Sequence, residues 1–341
     1  FMAVVCSGFV AVPLNLVAGS AILAYTIEHS EAKFIFVADD CKDLIDSAVA
    51  QQNRSVKLIK LDPVRGPDLA ALPSEVKELQ FEGIDSEPTD IALLMYTSGT
   101  TGKPKGVMLS HANLLAAGRF ISTGHEIDRN DSGLCVLPIY HINGMCVTVM
   151  GTIVSASTLV IPHKFSVNSF WKTIVKFKCS WFSAVPTQFS YILNNEEVPK
   201  DLSSLRFARS ASAPLSPDIH KKFEKRFGIP IIETMGLTET GSQITTNPMP
   251  PGQRKIGSPG KAYGNQIMIG DDQFEALPAG ETGEILVKGD NVMQGYFKQP
   301  EETHKTILGN GWLRTGDLGY LDTDGYVFVS GRIKELIIKG G

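Results

Sequence analysis

Short apolar runs alternate along this chain with longer stretches of helical pattern, and this alternation constrains the fold more than any other feature of the sequence. The runs have the length and the β-branched and aromatic content of buried strands. Strands that alternate with helices pair in parallel, and the connecting helices cover both faces of the sheet. The sequence therefore predicts an α/β fold with parallel sheets, whose strands lie at residues 33–38, 56–61, 91–97, 133–138, 158–161, 181–185, 207–210 and 229–234.

Helices are predicted at residues 112–120, 166–177 and 216–227. The last of these has Pro217 at its first helical position and Gly228 directly after its end, and both residues are favoured at those places. The apolar run 1–12 is predicted as a core helix that leads into a strand. Because this run is shorter than the ~20 residues that span a bilayer, we expect no transmembrane segment.

The pattern changes after the proline-rich segment 248–252. Short strand-like runs separated by turn signals follow from residue 255 to residue 329, which indicates an antiparallel sheet or a small barrel-like subdomain. The predicted organisation is an α/β core over residues 1–250, with an incomplete N-terminal part, and a β subdomain over 251–332. Residues 333–341 include the strand-like run 335–338, shortly after which the sequence stops, and we expect them to lead into a further part of the protein.

Composition excludes several classes of partner. Charged residues make up 20% of the chain and the net charge is −4, so we expect no basic surface for nucleic acid. The chain has five cysteines, an odd number without a Cys-x-x-Cys pair, which argues against a disulfide framework and against zinc. This cysteine usage is typical of reduced thiols in a cytoplasmic protein. Small molecules are therefore the expected partners.

The segment 96–106 combines four Ser and Thr hydroxyls, three glycines and two lysines. Backbone N–H groups, hydroxyls and ammonium groups at this density suit a polyphosphate. The segment differs from the P-loop of common ATPases, because Thr97 stands at the place of that motif's first glycine and Pro104 follows its lysine. Composition alone is compatible with both a phosphate-binding loop and a solvated loop.

Two further places carry carboxylates next to hydroxyls or glycine. Thr238 and Glu239 follow the predicted strand 229–234 and fit either a Mg²⁺ site or a solvated turn. Asp317 lies beside Gly316. It fits either a site for a ribose diol, from whose hydroxyls the carboxylate would accept hydrogen bonds, or a simple turn. Each pattern alone leaves both alternatives open.

Segments 96–106, 233–239, 312–318 and 331–335 together resemble the signatures of the acyl-adenylate-forming superfamily, in that family's order along the chain. This superfamily comprises the AMP-dependent synthetases and ligases. The chain looks most similar to acyl-CoA synthetases of the coumarate ligase and oxalyl-CoA synthetase branch, and it resembles their large N-terminal domain. The resemblance covers residues 96–341 and extends more weakly back to residue 1.

The resemblance implies ATP-dependent activation of a carboxylic acid to an acyl-AMP with release of pyrophosphate, followed by acyl transfer to a thiol, foremost that of CoA. It assigns catalysis to Thr238, Glu239, Lys105 and His141, with Mg²⁺ held by Glu239 and Thr238. Met235 stands where the family usually has an aromatic residue against adenine. The implied ATP-binding residues are Thr97, Ser98, Gly99, Thr100, Thr101, Lys103, Ala211, Ser212, Ala213, Glu233, Thr234, Met235, Gly236, Asp317 and Arg332.

The same resemblance implies a pocket for the acid. Members that activate amino acids carry an aspartate for the ammonium group near the position of His141, and its absence here predicts an acid without an amino group. The oxalate branch binds the second carboxylate with histidines, whereas this chain has Asn143 and Ser242 at the matching places. We therefore expect a monocarboxylate, as in fatty acid metabolism, in preference to oxalate. The implied acyl pocket contains His141, Ser183, Thr187, Ser210, Gly236 and Gly257.

Other functions remain open at this point. An acyl-AMP ligase that loads a carrier protein would share the first half-reaction, and a catalytically silent ATP-binding paralogue would share only the nucleotide site. A homodimer is a further expected assembly. The family's C-terminal domain, reached through a hinge at Lys334, supplies a lysine to the adenylation step. We therefore expect residues 1–341 alone to bind ATP weakly and to adenylate poorly.

Overall fold

The structure is a computed structural model that describes residues 1–67, 84–97 and 103–333. The predicted site residues Ser98, Gly99, Thr100, Thr101 and Lys334 lie outside the described residues. Two compact units are present. The first comprises the described residues of 1–110 together with 296–298, and the second comprises those of 111–295 and 299–341.

The helices of the described residues are mostly short. The α-helices are α1 (Met2–Cys6), α2 (Ser20–Ser30), α3 (Lys42–Val49), α4 (His111–Gly124), α5 (Gly151–Ser155), α6 (Val167–Phe177), α7 (Pro186–Leu193), α8 (Pro217–Phe227) and α9 (Pro300–Thr306). Single turns of 3₁₀-helix cover Leu16–Ala18, Asp39–Cys41 and Thr238–Thr240, and a π-helix, Asn143–Met150, runs directly into α5.

The strands, in chain order, are β1 (Phe34–Val37), β2 (Lys57–Asp62), β3 (Gly66–Pro67), β4 (Ile91–Tyr96), β5 (Gly106–Ser110), β6 (Ser132–Cys135), β7 (Thr158–Val160), β8 (Trp181–Ala184), β9 (Phe207–Ser210), β10 (Ile231–Leu237), β11 (Ser242–Thr246), β12 (Lys261–Ala262), β13 (Gln266–Gly270), β14 (Gly283–Lys288), β15 (Gly295–Tyr296), β16 (Leu313–Leu321) and β17 (Val327–Arg332).

The first unit contains two small sheets. In one sheet β1 pairs in parallel with β2, and β3 adds an antiparallel edge. The other has the order β15-β5-β4, with β4 and β5 antiparallel. The predicted strand 91–97 is therefore present, but its expected parallel pairing is wrong because the next strand of the chain, β5, pairs with it antiparallel. The predicted core helix in the run 1–12 is short, with Val5 as its buried residue, and Phe9 is 59% exposed.

The second unit is built on a sheet of seven strands in the order β12-β11-β10-β9-β8-β6-β7. The five strands from β10 to β7 in this order pair in parallel, as the alternation of strands and helices predicts. A tight turn at Thr238–Thr240 returns the chain from β10 into β11, so this pair is antiparallel. The prediction of a parallel sheet is thus confirmed for the second unit, with an antiparallel extension at one edge.

Helices cover both faces of this sheet because alternate strand residues point to opposite sides. On one face Phe182 packs against Phe170 of α6 and Phe189 of α7, with ring centroids 5.0 and 5.8 Å away. On the other face Trp181 and Phe207 stack with centroids 5.9 Å apart, beneath residues of α4 and the π-helix. These rings are fully buried, and burying each one contributes about 2 kcal/mol. The predicted helices on both faces are therefore confirmed.

The antiparallel sheet predicted after residue 255 is also confirmed, in the order β13-β14-β16-β17. Its strands follow one another in an open row among the described residues and do not close as a barrel. Ile269, Ile285 and Val327 form its core, and Met235 of β10 packs against them. The domain boundary predicted near residue 250 stays a prediction. In the part of the chain described, no helix combines the length and apolarity needed to cross a membrane.

A buried network of charged side chains joins α8 to β10. His220 hydrogen-bonds through Nδ1 with Glu233 at 2.9 Å and through Nε2 with Glu224 at 3.0 Å. Glu224 also contacts Arg254 and accepts the backbone N–H of Ile231 at 2.7 Å. Burial alone would lower the pKa of His220, but the hydrogen bonds to the two carboxylates outweigh it and raise the pKa above its ordinary value. The network therefore holds a charged ring in the core.

Replacement of His220 by alanine should destabilise the protein by about 3 kcal/mol, because two buried carboxylates lose their partner. Folding raises the pKa of His220, so its contribution is complete below the unfolded value of about 6.5 and is lost as pH rises through the folded pKa. Urea unfolding should therefore show a larger deficit of the variant at about pH 6 than at about pH 9.

Lys222→Ala on the same helix provides the matched control. Its Nζ lies 2.7 Å from Asp218, but both side chains are more than half exposed, so we expect a change below about 1 kcal/mol at either pH. A deficit for His220→Ala that is equal at both pH values would contradict the charged state assigned to His220.

Candidate nucleotide and acyl site

The predicted site residues of the second unit gather where its parallel strands end. Ligands of open α/β sheets bind at the carboxyl ends of the strands. Ser183 is in β8, Ser210 ends β9, and Thr234 and Gly236 lie in β10. The structure thus brings residues from three neighbouring strands to one edge of the sheet.

The segment after β9 continues along this edge. Ala211 is buried and its N–H donates to the carbonyl of Ala184 at 3.3 Å. Ser212 has a φ of +74° and, like Ala213, is exposed. The hydroxyl of Thr234 donates to the carbonyl of Ser210 at 3.3 Å. Small side chains on a fixed backbone at this position leave room for a flat ring, as the sequence predicts for adenine.

The turn between β10 and β11 presents Thr238 and Glu239. The strand pair shifts register between Met235 and Gly236, and a Cβ at Gly236 would lie 1.7 Å from the carbonyl oxygen of Ser242, so only glycine fits there. The carbonyl of Glu239 accepts the N–H of Met293 at 2.8 Å. Both Thr238 and Glu239 are half-buried. Their backbone is therefore fixed while their side chains remain partly open to solvent.

Glu233, predicted to bind ATP, is engaged within the protein. It is buried, and its Oε1 accepts the N–H of Gly257 at 3.0 Å in addition to its bond with His220. Its carbonyl accepts both the backbone and the side-chain N–H of Asn247 at 3.1 Å. Gly257 itself is exposed, with a φ of +86°. The geometry thus gives Glu233 a role in holding β10 against α8 and the Gly257 loop.

Asp317 and Arg332 face each other on neighbouring strands. They are register partners on β16 and β17, and the Nε of Arg332 donates to Oδ1 of Asp317 at 2.7 Å. The aspartate side chain is 7% exposed, whereas the arginine side chain is 51% exposed. Thr315 supports the pair, because its hydroxyl accepts the N–H of Asp317 at 3.0 Å. Two residues that the sequence assigns to one nucleotide are therefore adjacent.

His141 and Thr187 lie in segments that follow β6 and β8. The rings of His141 and Tyr140 have centroids 4.8 Å apart, and loss of hydration lowers the pKa of His141 below its ordinary value. Thr187 is exposed in the first turn of α7. The π-helix begins two residues after His141 and buries Asn143. π-helical turns inside longer helices often mark functional positions.

The first unit carries the described part of segment 96–106. The N–H of Thr97 donates to the carbonyl of Lys105 at 3.0 Å, which closes the base of this loop. The ammonium of Lys105 lies 4.7 Å from the ring centroid of Tyr296, and that of Lys103 lies 5.8 Å from the ring of Tyr25. Both lysines are therefore oriented by aromatic faces within their own unit.

Arg209 is the functional candidate that sequence reasoning missed. This residue is 1% exposed in the centre of β9, and it donates to Asn143 Oδ1, Ser183 Oγ and Gln243 Oε1 at 3.2, 3.1 and 3.3 Å. Burial lowers its pKa to about 9. An arginine inside the run 207–210, which the sequence predicts as a buried strand, was the signal available in the sequence.

A magnesium site must be judged from the donors present. Within the described ranges no cluster of three or more His, Cys, Asp or Glu side chains could hold a metal by itself. Mg²⁺ bound with a nucleotide usually takes one or two protein oxygens, and substrate phosphates and water complete its shell. The half-buried carboxylate of Glu239 beside the hydroxyl of Thr238 fits that requirement.

Comparisons with known proteins agree with this geometry. The model of the AMP-binding enzyme family matches residues 1–297. A sulfoacetate–CoA ligase from Cupriavidus necator is 42% identical over 336 residues, which cover 98% of this chain and 65% of that protein. An oxalate–CoA ligase from Arabidopsis thaliana is 33% identical and is covered to 67%. The chain therefore spans about two thirds of the length of these relatives.

A solved structure of an acid–CoA ligase is also similar to this chain. O-succinylbenzoate–coenzyme A synthetase from Bacillus subtilis, in complex with ATP and a magnesium ion, is similar at a TM-score of 0.81 and 31% identity. The similarity covers 98% of this chain and 66% of that one. The family match, the relatives and the common fold together show that this chain belongs to the AMP-binding enzymes, the adenylate-forming family of acid–CoA ligases.

Proposed function

We propose that the enzyme containing this chain activates a carboxylic acid with ATP and passes the acyl group to the thiol of CoA. A carboxylate oxygen attacks the α-phosphorus, an acyl-AMP forms and pyrophosphate leaves. The thiol then attacks the acyl carbon, so that a thioester forms and AMP leaves. The observation that supports this most is the fixed turn that presents Thr238 and Glu239 directly after a strand of the parallel sheet.

The chemistry requires positioning and charge compensation more than proton transfer. A carboxylic acid has a pKa near ~4 and is already ionised at neutral pH, so it needs no general base. Its attack brings two anionic groups together, and preorganised donors lower the barrier to this approach. Thr238 would donate its hydroxyl to a phosphate oxygen. Mg²⁺, when held by Glu239, supplies positive charge at the phosphates.

The ribose, the adenine and the phosphates of ATP are assigned to three groups of residues. Asp317 would accept hydrogen bonds from the ribose hydroxyls, because an ionised carboxylate is an acceptor only. Arg332 holds that carboxylate in place. The backbone of 211–213, with Met235 and Gly236, would border the adenine ring. The loop that includes Thr97, Lys103 and Lys105 would bind the phosphates, as its composition and the family resemblance indicate.

The acid and the thiol acceptor are assigned more coarsely. We infer an acid without an amino group, bordered by His141, Ser183 and Ser210. Sulfoacetate and oxalate, the acids in the relatives' names, are candidates beside the monocarboxylate that the neutral Asn143 and Ser242 favour. CoA is the proposed acceptor because the relatives are CoA ligases. A carrier protein in its place would leave the adenylation step unchanged.

Glu239→Gln should lower the rate of acid-dependent ATP–pyrophosphate exchange by about 100- to 1,000-fold, the usual loss for one preorganised transition-state contact. Exchange measured with the full-length enzyme at saturating Mg²⁺ tests this. Glu281→Gln makes the same chemical change at an exposed turn and should leave the rate within about 2-fold. Retention of full exchange by Glu239→Gln would rule out the proposed metal and phosphate role.

Asp317→Asn should raise the KM for ATP by about 10- to 100-fold, since one charged acceptor for the ribose hydroxyls becomes a neutral amide. The kcat at saturating ATP should fall much less, because this contact is made equally in the ground and transition states. Asp324→Asn is the control, as this exposed aspartate pairs only with Lys255 among the described residues. A drop in kcat with an unchanged KM would contradict a ribose-binding role for Asp317.

A further inference from the structure

Arg209 is a buried cation that the proposed reaction does not yet use. Its three hydrogen-bond partners are an amide oxygen of Asn143, a hydroxyl of Ser183 and an amide oxygen of Gln243, all of them neutral. Its Nε has no hydrogen-bond partner among the described residues. A buried charge without a counter-charge carries a large desolvation cost. The lowered pKa of Arg209, which arises from burial, reflects that cost.

Other partly buried arginines of the second unit are treated differently. Arg206 contacts the buried carboxylate of Asp131 at 2.6 Å, and Arg314 contacts that of Glu284 at 2.9 Å. Arg254 contacts Glu224. Each of these cations is therefore neutralised by an acidic side chain. Arg209 is the most deeply buried of the four, and it has neutral hydrogen-bond acceptors where the other three have a carboxylate.

The position of Arg209 relates this cation to the acid. Ser183, which the family resemblance places in the acyl pocket, is its register partner on β8 and its direct contact. Gln243 is the register partner of Gly236, another predicted pocket residue. Asn143 follows two residues after His141. The guanidinium thus contacts one predicted pocket residue, Ser183, directly. Its other two partners lie near predicted pocket residues, in strand register for Gln243 and in sequence for Asn143.

Asn143 connects the buried cation to the open edge of the sheet. Its Oδ1 accepts from Arg209 and Ser183, while its Nδ2 donates to the hydroxyl of Ser212 at 3.2 Å. Ser212 is exposed. At Gly144, the next residue, a Cβ would lie 2.4 Å from the carbonyl oxygen of Pro138, so the backbone packs closely at this point. A continuous line of polar groups therefore leads from solvent at Ser212 to Arg209.

We propose that Arg209, together with Asn143 and Ser183, binds a second anionic group of the acid, either a carboxylate or a sulfonate, at the end remote from the carboxylate that is adenylated. The substrate class is then short acids with two anionic groups. Such a group supplies the counter-charge that none of the described residues provides, and it forms charge-assisted hydrogen bonds, which are the stronger kind. This inference rests on the proposed function. It reverses the preference for a monocarboxylate that Asn143 and Ser242 alone suggest.

The competing explanation is a purely structural arginine that ties β8, β9, β11 and the π-helix together. The two explanations differ in selectivity between acids. A structural arginine affects every acid alike, whereas an anion-binding arginine affects acids with two charges selectively. Because a site built to bind a polar group rejects the analogue that lacks it, the ratio of kcat/KM values between matched acids is the decisive quantity.

The test is ATP–pyrophosphate exchange by the full-length enzyme with matched pairs of acids. Malonate is compared with propionate, and succinate and 3-sulfopropanoate are compared with butanoate. For whichever dianion the unaltered enzyme uses best, kcat/KM should exceed that of its matched monocarboxylate by about 100-fold, the scale of a buried hydrogen-bonded charge pair. Arg209→Gln should lower this ratio by about 100-fold, and Arg209→Lys should lower it less because the charge is kept.

Two further variants separate selectivity from folding. Asn143→Asp keeps the shape of the side chain but places a carboxylate beside the guanidinium, so the dianion preference should be lost in a protein that melts near the unaltered one. Arg206→Gln removes an arginine of the same sheet that is already paired with Asp131, and its acid ratio should stay within about 2-fold of the unaltered enzyme. Melting temperatures give a readout independent of catalysis. Malonate added without ATP should raise the melting temperature of the unaltered enzyme and should not raise that of Asn143→Asp.

Equal losses for both acids of a pair in Arg209→Gln, or a preference of the unaltered enzyme for propionate or butanoate, would overturn the inference and leave the proposed function intact. A retained dianion preference in Asn143→Asp would overturn it as well. Failure of the proposed function has a different signature, which is no exchange with any acid of the panel. In that case the inference fails together with the function on which it rests.

Discussion

The parallel pairing of β8, β9 and β10, with helices on both faces, is the constraint on which the rest of the second unit depends. A strand covered on both sides has no access to water, so each polar side chain in it must find a partner inside the protein. Ser183, Arg209 and Glu233 are such side chains, and each is hydrogen-bonded to a neighbouring element. Because all three strands point the same way, the segments that follow them leave from one edge. The direction of the strands therefore sets the position of the candidate site, and the individual side chains determine which groups it presents to a ligand.

Much of this sheet could be predicted from sequence, because apolar runs report burial directly. The strand Phe207–Ser210 and the end of α8 at Phe227, before Gly228, were predicted to the residue. The pairing direction of β4 could not be predicted, since an apolar run has the same pattern in either orientation. Its partner β5 follows a segment rich in glycine and lysine, so the alternation of strands and helices did not indicate a strand there. The π-helix was missed for a related reason: apart from Asn143 and Thr148 its residues are apolar or glycine, all eight are buried, and they carry no helical periodicity.

The site residues divide in the same way. Thr238, Glu239, Asp317 and Arg332 were predicted as site residues because short ordered motifs carry them, and the structure makes Asp317 and Arg332 direct partners. His220 and Arg209 belong to no such motif. Their importance comes from which residues lie opposite them, and register between strands or packing of a helix on a strand cannot be read from one sequence. The same limit affected Glu233, which the motif assigns to the nucleotide while the fold gives its Oε1 two partners from α8 and the Gly257 loop.

The second unit holds buried positive charge in two ways, which differ in how far the electric field of the charge extends. In the first, the charge meets a carboxylate, as His220 does, and the field of the pair falls off quickly because the opposite charges cancel. In the second, the hydrogen-bond partners that Arg209 has in the described part of the chain are neutral dipoles, and its field extends to neighbouring groups. His125, which stacks on Phe207 at 5.4 Å, shows this: burial first, and then repulsion from Arg209, lower its pKa to about 3. Burial of the Arg209 guanidinium without a counter-charge among the described residues costs stability. The second anionic group proposed for the acid would supply that counter-charge.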